Sequence, residues 1–121
     1  MANILVIDDQ TYVRELFSEA LMDEDHRVVS FGDAESVTGY LKDSEPDLVL
    51  LDLYLDGFEG WDVLRYIKRM YPHLPVVIVT AYDSYVDDPR LLQAEGYVVK
   101  SIAALDTLKQ KITEVLEQKA A

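Results

Sequence analysis

The chain lacks cysteine altogether and is poor in basic residues. Without cysteine, its 121 residues cannot form disulfides or thiolate-held metal sites. Only 11 Lys and Arg oppose 23 Asp and Glu, which gives a formal charge of −12. An acidic surface repels nucleic-acid phosphates, so we expect no direct binding of DNA or RNA by this domain. No apolar run reaches the ~18 residues of a membrane span and no secretory leader opens the chain, so we expect a soluble, cytoplasmic protein.

Apolar runs and amphipathic segments alternate along the chain. The apolar runs that predict strands are residues 3–7, 27–31, 47–52, 75–80 and 96–100. Helical spacing of apolar residues predicts helices over 11–24, from the capping Asp33 to Asp43, from Val63 to Met70, and over 102–119. Short strands that are apolar on both faces are typical of parallel sheets covered by helices on both sides. We therefore predict an α/β fold with a doubly wound, five-stranded parallel sheet, in a single domain over residues 1–121.

Polar residues fall where four of the predicted strands end. Asp8 and Asp9 follow the first strand, Asp52 ends the third, Thr80 ends the fourth and Lys100 ends the fifth. Parallel strands all point the same way, so these side chains should lie along the carboxyl edge of the sheet. Open α/β sheets bind ligands at that edge.

Three carboxylates in one crevice repel each other, and a bound cation removes the conflict. Mg²⁺ prefers carboxylate and carbonyl oxygens, keeps several waters and recruits phosphate oxygens. A lysine and a threonine beside such a trio suit phosphoryl chemistry, since both can hold phosphoryl oxygens. No Ser–His–Asp set is evident, so a carboxylate is the expected nucleophile, as in aspartyl-phosphate chemistry.

Taken together, these motifs resemble the receiver domain of two-component response regulators, of the chemotaxis-receiver type, over essentially the whole chain. The matching segments are IDDQ at 7–10, LVLLDLYLDGFEGW at 48–61, VIVTAY at 77–82 and GYVVK at 96–100. The resemblance implies the flavodoxin-like strand order 2-1-3-4-5.

The resemblance also implies a metal site and an acceptor. Asp52 would be the phosphoryl acceptor. Asp9 would bind Mg²⁺ together with Asp52 and the backbone carbonyl of Tyr54, and Asp8 would act on the metal through water.

Further roles follow from the same resemblance. Lys100 would pair with Asp52 or its phosphate, Thr80 would hydrogen-bond the phosphate, and Tyr97 would be the aromatic switch residue. The phosphoryl donor would be a partner histidine kinase or phosphotransfer protein. The domain would be no enzyme beyond catalysing its own phosphorylation and dephosphorylation, and it would switch a protein-interaction face. The sequence identifies neither the kinase nor the output, nor whether the chain belongs to a larger regulator.

The chain departs from the common receiver pattern at three places. Ser101 replaces the proline that usually follows the lysine, which leaves open whether the Lys100–Ser101 bond is cis or trans. Asp56 replaces another common proline and adds a carboxylate to the site loop. Pro89 falls within the usual fourth helix, so we predict a short helix over about 89–95, capped by Asp88 and preceded by an irregular segment.

Three other functions compete with that of a phosphorylated receiver. A receiver that has lost switching would be a phosphorylation-independent interaction module; the altered lysine loop and fourth helix favour this alternative, and the intact acidic pair, acceptor, threonine and lysine argue against it. A dehalogenase-type phosphatase would need a second Asp two residues after its nucleophile, where this chain has Gln10 or Tyr54. A flavin-binding domain would need a Ser/Thr/Gly phosphate loop after the first strand, where this chain is acidic.

Overall fold

The computed structural model describes residues 2–55, 58–80, 88–100 and 105–120. Its strands are β1 (Asn3–Ile7), β2 (Arg27–Phe31), β3 (Leu48–Leu51), β4 (Tyr54–Leu55), β5 (Phe58–Glu59), β6 (Val76–Thr80) and β7 (Gly96–Val99). Its α-helices are α1 (Thr11–Met22), α2 (Ala34–Asp43), α3 (Gly60–Met70) and α4 (Leu105–Ala120), and a 3-10 helix spans Pro89–Gln93.

Five parallel strands form the main sheet, in the order β2-β1-β3-β6-β7. Counted along this sheet alone, the order is 2-1-3-4-5, so the predicted fold class and strand order are confirmed. Strand β2 pairs with one edge of β1 and strand β3 with the other, so the strand order reverses between β1 and β3. This reversal opens the crevice in which such sheets bind ligands.

Alternating side chains of the central strands pack into two separate cores. On β1, Ile4 and Val6 belong to the core under α1 and α4, whereas Leu5 and Ile7 belong to the core under α2 and α3. All four side chains are at most 1% exposed. The central strands therefore have no polar face, which is why they are nearly continuous apolar runs in the sequence.

A side-chain cap marks the start of α2, and a left-handed residue follows the end of α1. Asp33 has extended backbone angles and its side chain accepts a hydrogen bond from the Ser36 amide, so the predicted N-cap of α2 is confirmed. Helix α1 ends at Met22, two residues before the predicted end, and Asp25 then has a φ of 65° in the turn toward β2. None of the described helices has the length and apolar character that crossing a membrane requires.

The short helix predicted between the fourth and fifth strands of the sheet is present as the 3-10 helix Pro89–Gln93 rather than as an α-helix. Asp88 caps it by accepting a hydrogen bond from the Arg90 amide, and Pro89 stands in its first turn. It ends at Gln93, before the predicted residue 95, because the Glu95 amide donates to the Val76 carbonyl and joins the chain to the sheet. Of the predicted irregular segment at 82–88, only Asp88 lies within the described residues.

The antiparallel ribbon of β4 and β5 was not predicted. It pairs Tyr54 with Glu59 and Leu55 with Phe58 in the loop between β3 and α3. The sequence indicated only a glycine-marked loop there, because two-residue strands carry no periodicity.

Candidate functional site

The carboxyl edge of the sheet brings the predicted site residues together. Asp8 follows β1, and Asp52 follows β3, beside it in the sheet. The Asp52 amide donates to the Ile7 carbonyl at 2.9 Å, so the parallel pairing itself fixes the backbone of Asp52 next to the β1 end. Thr80 closes β6 and Lys100 follows β7, and the Lys100 amide donates to the Thr80 carbonyl.

Asp8, Asp9 and Asp52 form one carboxylate cluster. One oxygen from each of the three side chains lies within 4.8 Å of the others. Asp8 is only 2% exposed and Asp52 only 6%, whereas Asp9 is exposed. Two buried acids and one accessible acid are therefore directed into one crevice that remains open on the side of Asp9.

Lys100 links the two buried acids of this cluster. Its ammonium donates to Asp8 Oδ2 at 2.6 Å and to Asp52 Oδ2 at 3.0 Å. Burial alone lowers the pKa of Lys100, but the hydrogen bonds and charges of both carboxylates outweigh it and leave that pKa raised. The lysine is therefore fully protonated at neutral pH and offsets part of the cluster's charge.

The surroundings of Asp52 oppose its ionisation even though Lys100 contacts it. Burial raises its pKa to about 6 from the ordinary 3.8; the Lys100 charge opposes this rise, and the Asp8 charge adds to it. Ionisation of Asp52 therefore costs more free energy than that of an exposed aspartate, and a further cation in the crevice would lower this cost.

Thr80 contributes a hydroxyl that is completely buried, with an exposed fraction of 0%. Within the described part of the chain, its Oγ1 atom has no hydrogen-bond partner. A buried hydroxyl without a partner is costly, and such groups generally need an explanation. Its position at the end of β6, on the same edge as the carboxylates, leaves it available to an incoming oxygen.

The donor set fits a hard divalent cation. It consists of carboxylate oxygens alone, with no sulfur or imidazole, and these are the ligands that Mg²⁺ prefers. A bound cation would offset the charge of Asp52, whose ionisation burial opposes, and an oxyanion attached to it would give a partner to the Thr80 hydroxyl, which has none among the described residues.

Other predicted site residues lie outside the carboxylate cluster or cannot be placed. The backbone of Tyr54 lies in β4, two residues after Asp52. Tyr97 lies in β7, is half-buried, and packs against the core under α2 and α3, as Leu91 of the 3-10 helix also does. Asp56 and Ser101, and with them the Lys100–Ser101 bond, lie outside the described residues.

Two glycines near the site were not identified from the sequence as site residues. A Cβ on Gly60 would lie 2.4 Å from the Asp52 carbonyl oxygen and 2.5 Å from Leu53 Cα, so only glycine lets α3 begin against this loop. A Cβ on Gly32 would lie 2.7 Å from Nη1 of Arg14, which itself donates to the Asp8 carbonyl. Isolated glycines in the sequence were the available signal, but which chain segment approaches them is visible only in the fold.

Fold and site together define a class of signalling domain. Residues 4–113 match the family model described as the response regulator receiver domain. The chain belongs to that family.

Particular relatives are regulators of transcription. The chain is 33% identical over 104 residues to the transcriptional regulatory protein AfsQ1 of Streptomyces coelicolor, a match that covers 84% of this chain and 46% of that protein. It is 36% identical over 99 residues to the probable transcriptional regulatory protein TcrX of Mycobacterium tuberculosis, which covers 80% of this chain and 42% of that protein. The chain thus spans less than half the length of these two relatives.

A solved structure of similar shape is the response regulator TrrA of Thermotoga maritima, in complex with Mg²⁺–BeF. It has a TM-score of 0.88 and 32% identity, and the match covers 94% of this chain and 98% of that one. A second structure holds TrrA in complex with the histidine kinase ThkA; its matching chain has a TM-score of 0.88 and 33% identity, with 96% of this chain and 99% of that chain covered.

Proposed function

We propose that this receiver domain is a Mg²⁺-dependent phosphoryl acceptor, with Asp52 as the accepting residue. One observation carries the proposal. The carboxylates of Asp8, Asp9 and Asp52 converge within 4.8 Å at the carboxyl edge of the sheet, with Lys100 bonded to two of them. Burying Asp52 in this arrangement costs stability, since it raises the pKa of that carboxyl group to about 6.

In the proposed reaction a carboxylate oxygen of Asp52 attacks the phosphorus of a partner's phosphohistidine. An oxygen–phosphorus bond forms, the phosphorus–nitrogen bond breaks, and the leaving imidazole nitrogen keeps the electron pair and takes up a proton. Asp9, Asp52 and the Tyr54 carbonyl would hold Mg²⁺, with Asp8 acting through water. When bound, Mg²⁺ supplies positive charge that offsets the charge on the phosphoryl oxygens.

Lys100 and Thr80 have distinct parts in the proposal. Lys100 lies 3.0 Å from Asp52 Oδ2 and would transfer its hydrogen bond to a phosphoryl oxygen. The buried Thr80 hydroxyl would donate to another phosphoryl oxygen and so gain a partner. Tyr97, on the strand that leads to Lys100, would then change its position and with it the interaction face.

The proposed donor is a histidine kinase or a phosphotransfer protein, by analogy with TrrA, which forms a complex with the kinase ThkA. The proposed output is a protein partner or domain, since the formal charge of −12 opposes direct contact with nucleic acid. A single receiver domain over residues 1–121, a cytoplasmic location, and no turnover of an external substrate complete the proposal.

Labelling with a small phosphoryl donor tests the acceptor role. Incubation with acetyl phosphate and Mg²⁺ should add one phosphoryl group, measured by intact-protein mass spectrometry and removed by hydroxylamine as expected for an acyl phosphate. Asp52→Asn or EDTA should abolish the label. The control variant Asp43→Asn removes an exposed carboxylate at the end of α2 and should be labelled like the wild type.

Two results would overturn the acceptor role. One is labelling of Asp52→Asn at the wild-type rate. The other is a wild-type chain that takes no label and shows no spectral change with Mg²⁺ and beryllofluoride, which would favour the phosphorylation-independent interaction module.

A further inference from the structure

Arg14 joins helix α1 to the loop that bears the acidic pair. From the second turn of α1, its Nη1 atom donates to the Asp8 backbone carbonyl at 2.6 Å. Its Nη2 atom donates to Thr11 Oγ1 at 3.1 Å, which fixes the rotation of the guanidinium plane. The guanidinium therefore holds a backbone oxygen in the loop rather than pairing with one of the site's carboxylates.

The other polar groups of Asp8 are held as well. Its amide donates to the Phe31 carbonyl at 3.1 Å, its Oδ1 accepts from the Gln10 amide at 2.9 Å, and its Oδ2 accepts from Lys100. The carbonyl held by Arg14 belongs to the same planar peptide unit as the Asp9 amide. Fixing that plane constrains the backbone of Asp9 and so the direction in which the Asp9 side chain projects from the loop.

Gly32 leaves the room that this contact needs. A Cβ on Gly32 would lie 2.7 Å from Arg14 Nη1 and 3.5 Å from the Asp8 carbonyl oxygen. The backbone of Gly32 does not adopt the left-handed conformation that disfavours other residues. The close contact is with the tip of a flexible side chain, so alanine at this position would displace the guanidinium without breaking the fold.

The geometry points to Arg14 as a positioning residue for the divalent-cation site: it orients the Asp8–Asp9 peptide so that the exposed Asp9 carboxylate meets the other two. Gly32 is the position that makes this possible. The inference rests on the proposed function, since it concerns the same cation site.

Positioning and simple electrostatics predict opposite results when Arg14 is replaced. Removing a positive charge near a cation site should tighten Mg²⁺ binding through Coulomb forces alone. Losing the orientation of a ligand should weaken it, and groups that orient metal ligands typically affect affinity by about 10–100-fold. Gly32→Ala tests the same contact without changing any charge.

Isothermal titration with Mg²⁺ on the full chain measures the effect. Arg14→Gln and Gly32→Ala should each raise the Kd about 10-fold. Gly39→Ala is the matched control, because its Cβ would meet nothing within 4 Å, and its Kd should equal that of the wild type. The Asp9 amide resonance in a ¹⁵N-labelled sample should shift in both test variants before any metal is added.

A background without the Asp9 carboxylate separates positioning from general loosening. In Asp9→Asn chains, the further change Arg14→Gln should alter the remaining Mg²⁺ affinity by less than about twofold, because the ligand that Arg14 orients is already lost. An unchanged or lower Kd in Arg14→Gln, or an equal loss with and without the Asp9 carboxylate, would overturn the positioning role. A wild-type chain that binds no Mg²⁺ would overturn the proposed function itself, and this inference with it.

Discussion

Replacing Asp52 by asparagine should make the metal-free protein more stable, although the residue lies at the centre of the proposed site. Burial raises the pKa of Asp52 to about 6 from 3.8, with the Lys100 charge opposing the rise. Each pH unit of pKa corresponds to about 1.36 kcal/mol, so above pH 6 the ionised side chain lowers the free energy of unfolding by about 3 kcal/mol relative to its neutral form. Asparagine is neutral at every pH and has nearly the same shape.

The pH dependence gives this prediction its sign. Between about pH 4 and pH 6 the folded protein keeps a proton on Asp52 that the unfolded chain has lost. The contribution of Asp52 to the free energy of unfolding of the wild type therefore falls as the pH rises through this window. The advantage of Asp52→Asn should be close to zero near pH 4 and reach about 3 kcal/mol above pH 7.

Urea unfolding in EDTA, followed by circular dichroism from pH 4 to pH 8, measures the difference. Glu117→Gln, which removes an exposed carboxylate from α4, controls for the change in net charge and should follow the wild type within about 0.5 kcal/mol. Added Mg²⁺ should stabilise the wild type more than Asp52→Asn and so narrow the gap. An Asp52→Asn variant that is no more stable than the wild type at pH 7.5 in EDTA, or a pH-independent difference, would refute the reasoning.

Three further substitutions probe the surroundings of Asp52. Lys100→Met leaves two buried carboxylates without their shared cation and should lower the free energy of unfolding by about 3–5 kcal/mol at pH 8 in EDTA. The loss should be smaller at pH 5, below the raised pKa of about 6 of Asp52, and an equal loss in urea titrations at both pH values would count against the account. Thr80→Val removes a buried hydroxyl that has no partner in the described chain, so it should change the free energy of unfolding by no more than about 1 kcal/mol. It should nevertheless weaken the binding of beryllofluoride in the presence of Mg²⁺ by about tenfold or more. Unchanged affinity in a fluorescence titration would contradict the role of the hydroxyl. Gly60→Ala places a Cβ 2.4 Å from the Asp52 carbonyl oxygen. It should lower the free energy of unfolding in urea by about 1–3 kcal/mol and weaken Mg²⁺ binding. Wild-type values for both quantities would mean that the loop can move to accept the Cβ without cost.

The sequence was sufficient to predict the sheet because its central strands are buried on both faces. The runs at 3–7 and 75–80 contain no alternation, and side chains of both now fill the two cores. The strand order came from family resemblance, since nothing in an apolar run specifies its neighbour. The helix between β6 and β7 was predicted as short from Pro89, but its end at Gln93 follows from the tertiary hydrogen bond between the Glu95 amide and the Val76 carbonyl, which the sequence does not show.

The carboxyl edge was predictable for the same reason that the sheet was. Parallel strands bring their ends together, so residues far apart in sequence, such as Asp8 and Lys100, could be expected along one edge. In the structure Lys100 Nζ lies 2.6 Å from Asp8 Oδ2. The contacts that hold the loop in place were not predictable. Arg14 bonds to a backbone carbonyl, and any residue presents one, so its sequence position carries no signal of this contact.

Diffraction from crystals soaked in Mn²⁺, which stands in for Mg²⁺, tests the central claim most directly. We predict one anomalous peak at the carboxyl edge of the sheet, within bonding distance of carboxylate oxygens of Asp9 and Asp52, and its loss in Asp52→Asn crystals. A peak bound elsewhere, or none at this edge when the crystals contain Mn²⁺ at millimolar concentration, would contradict the account.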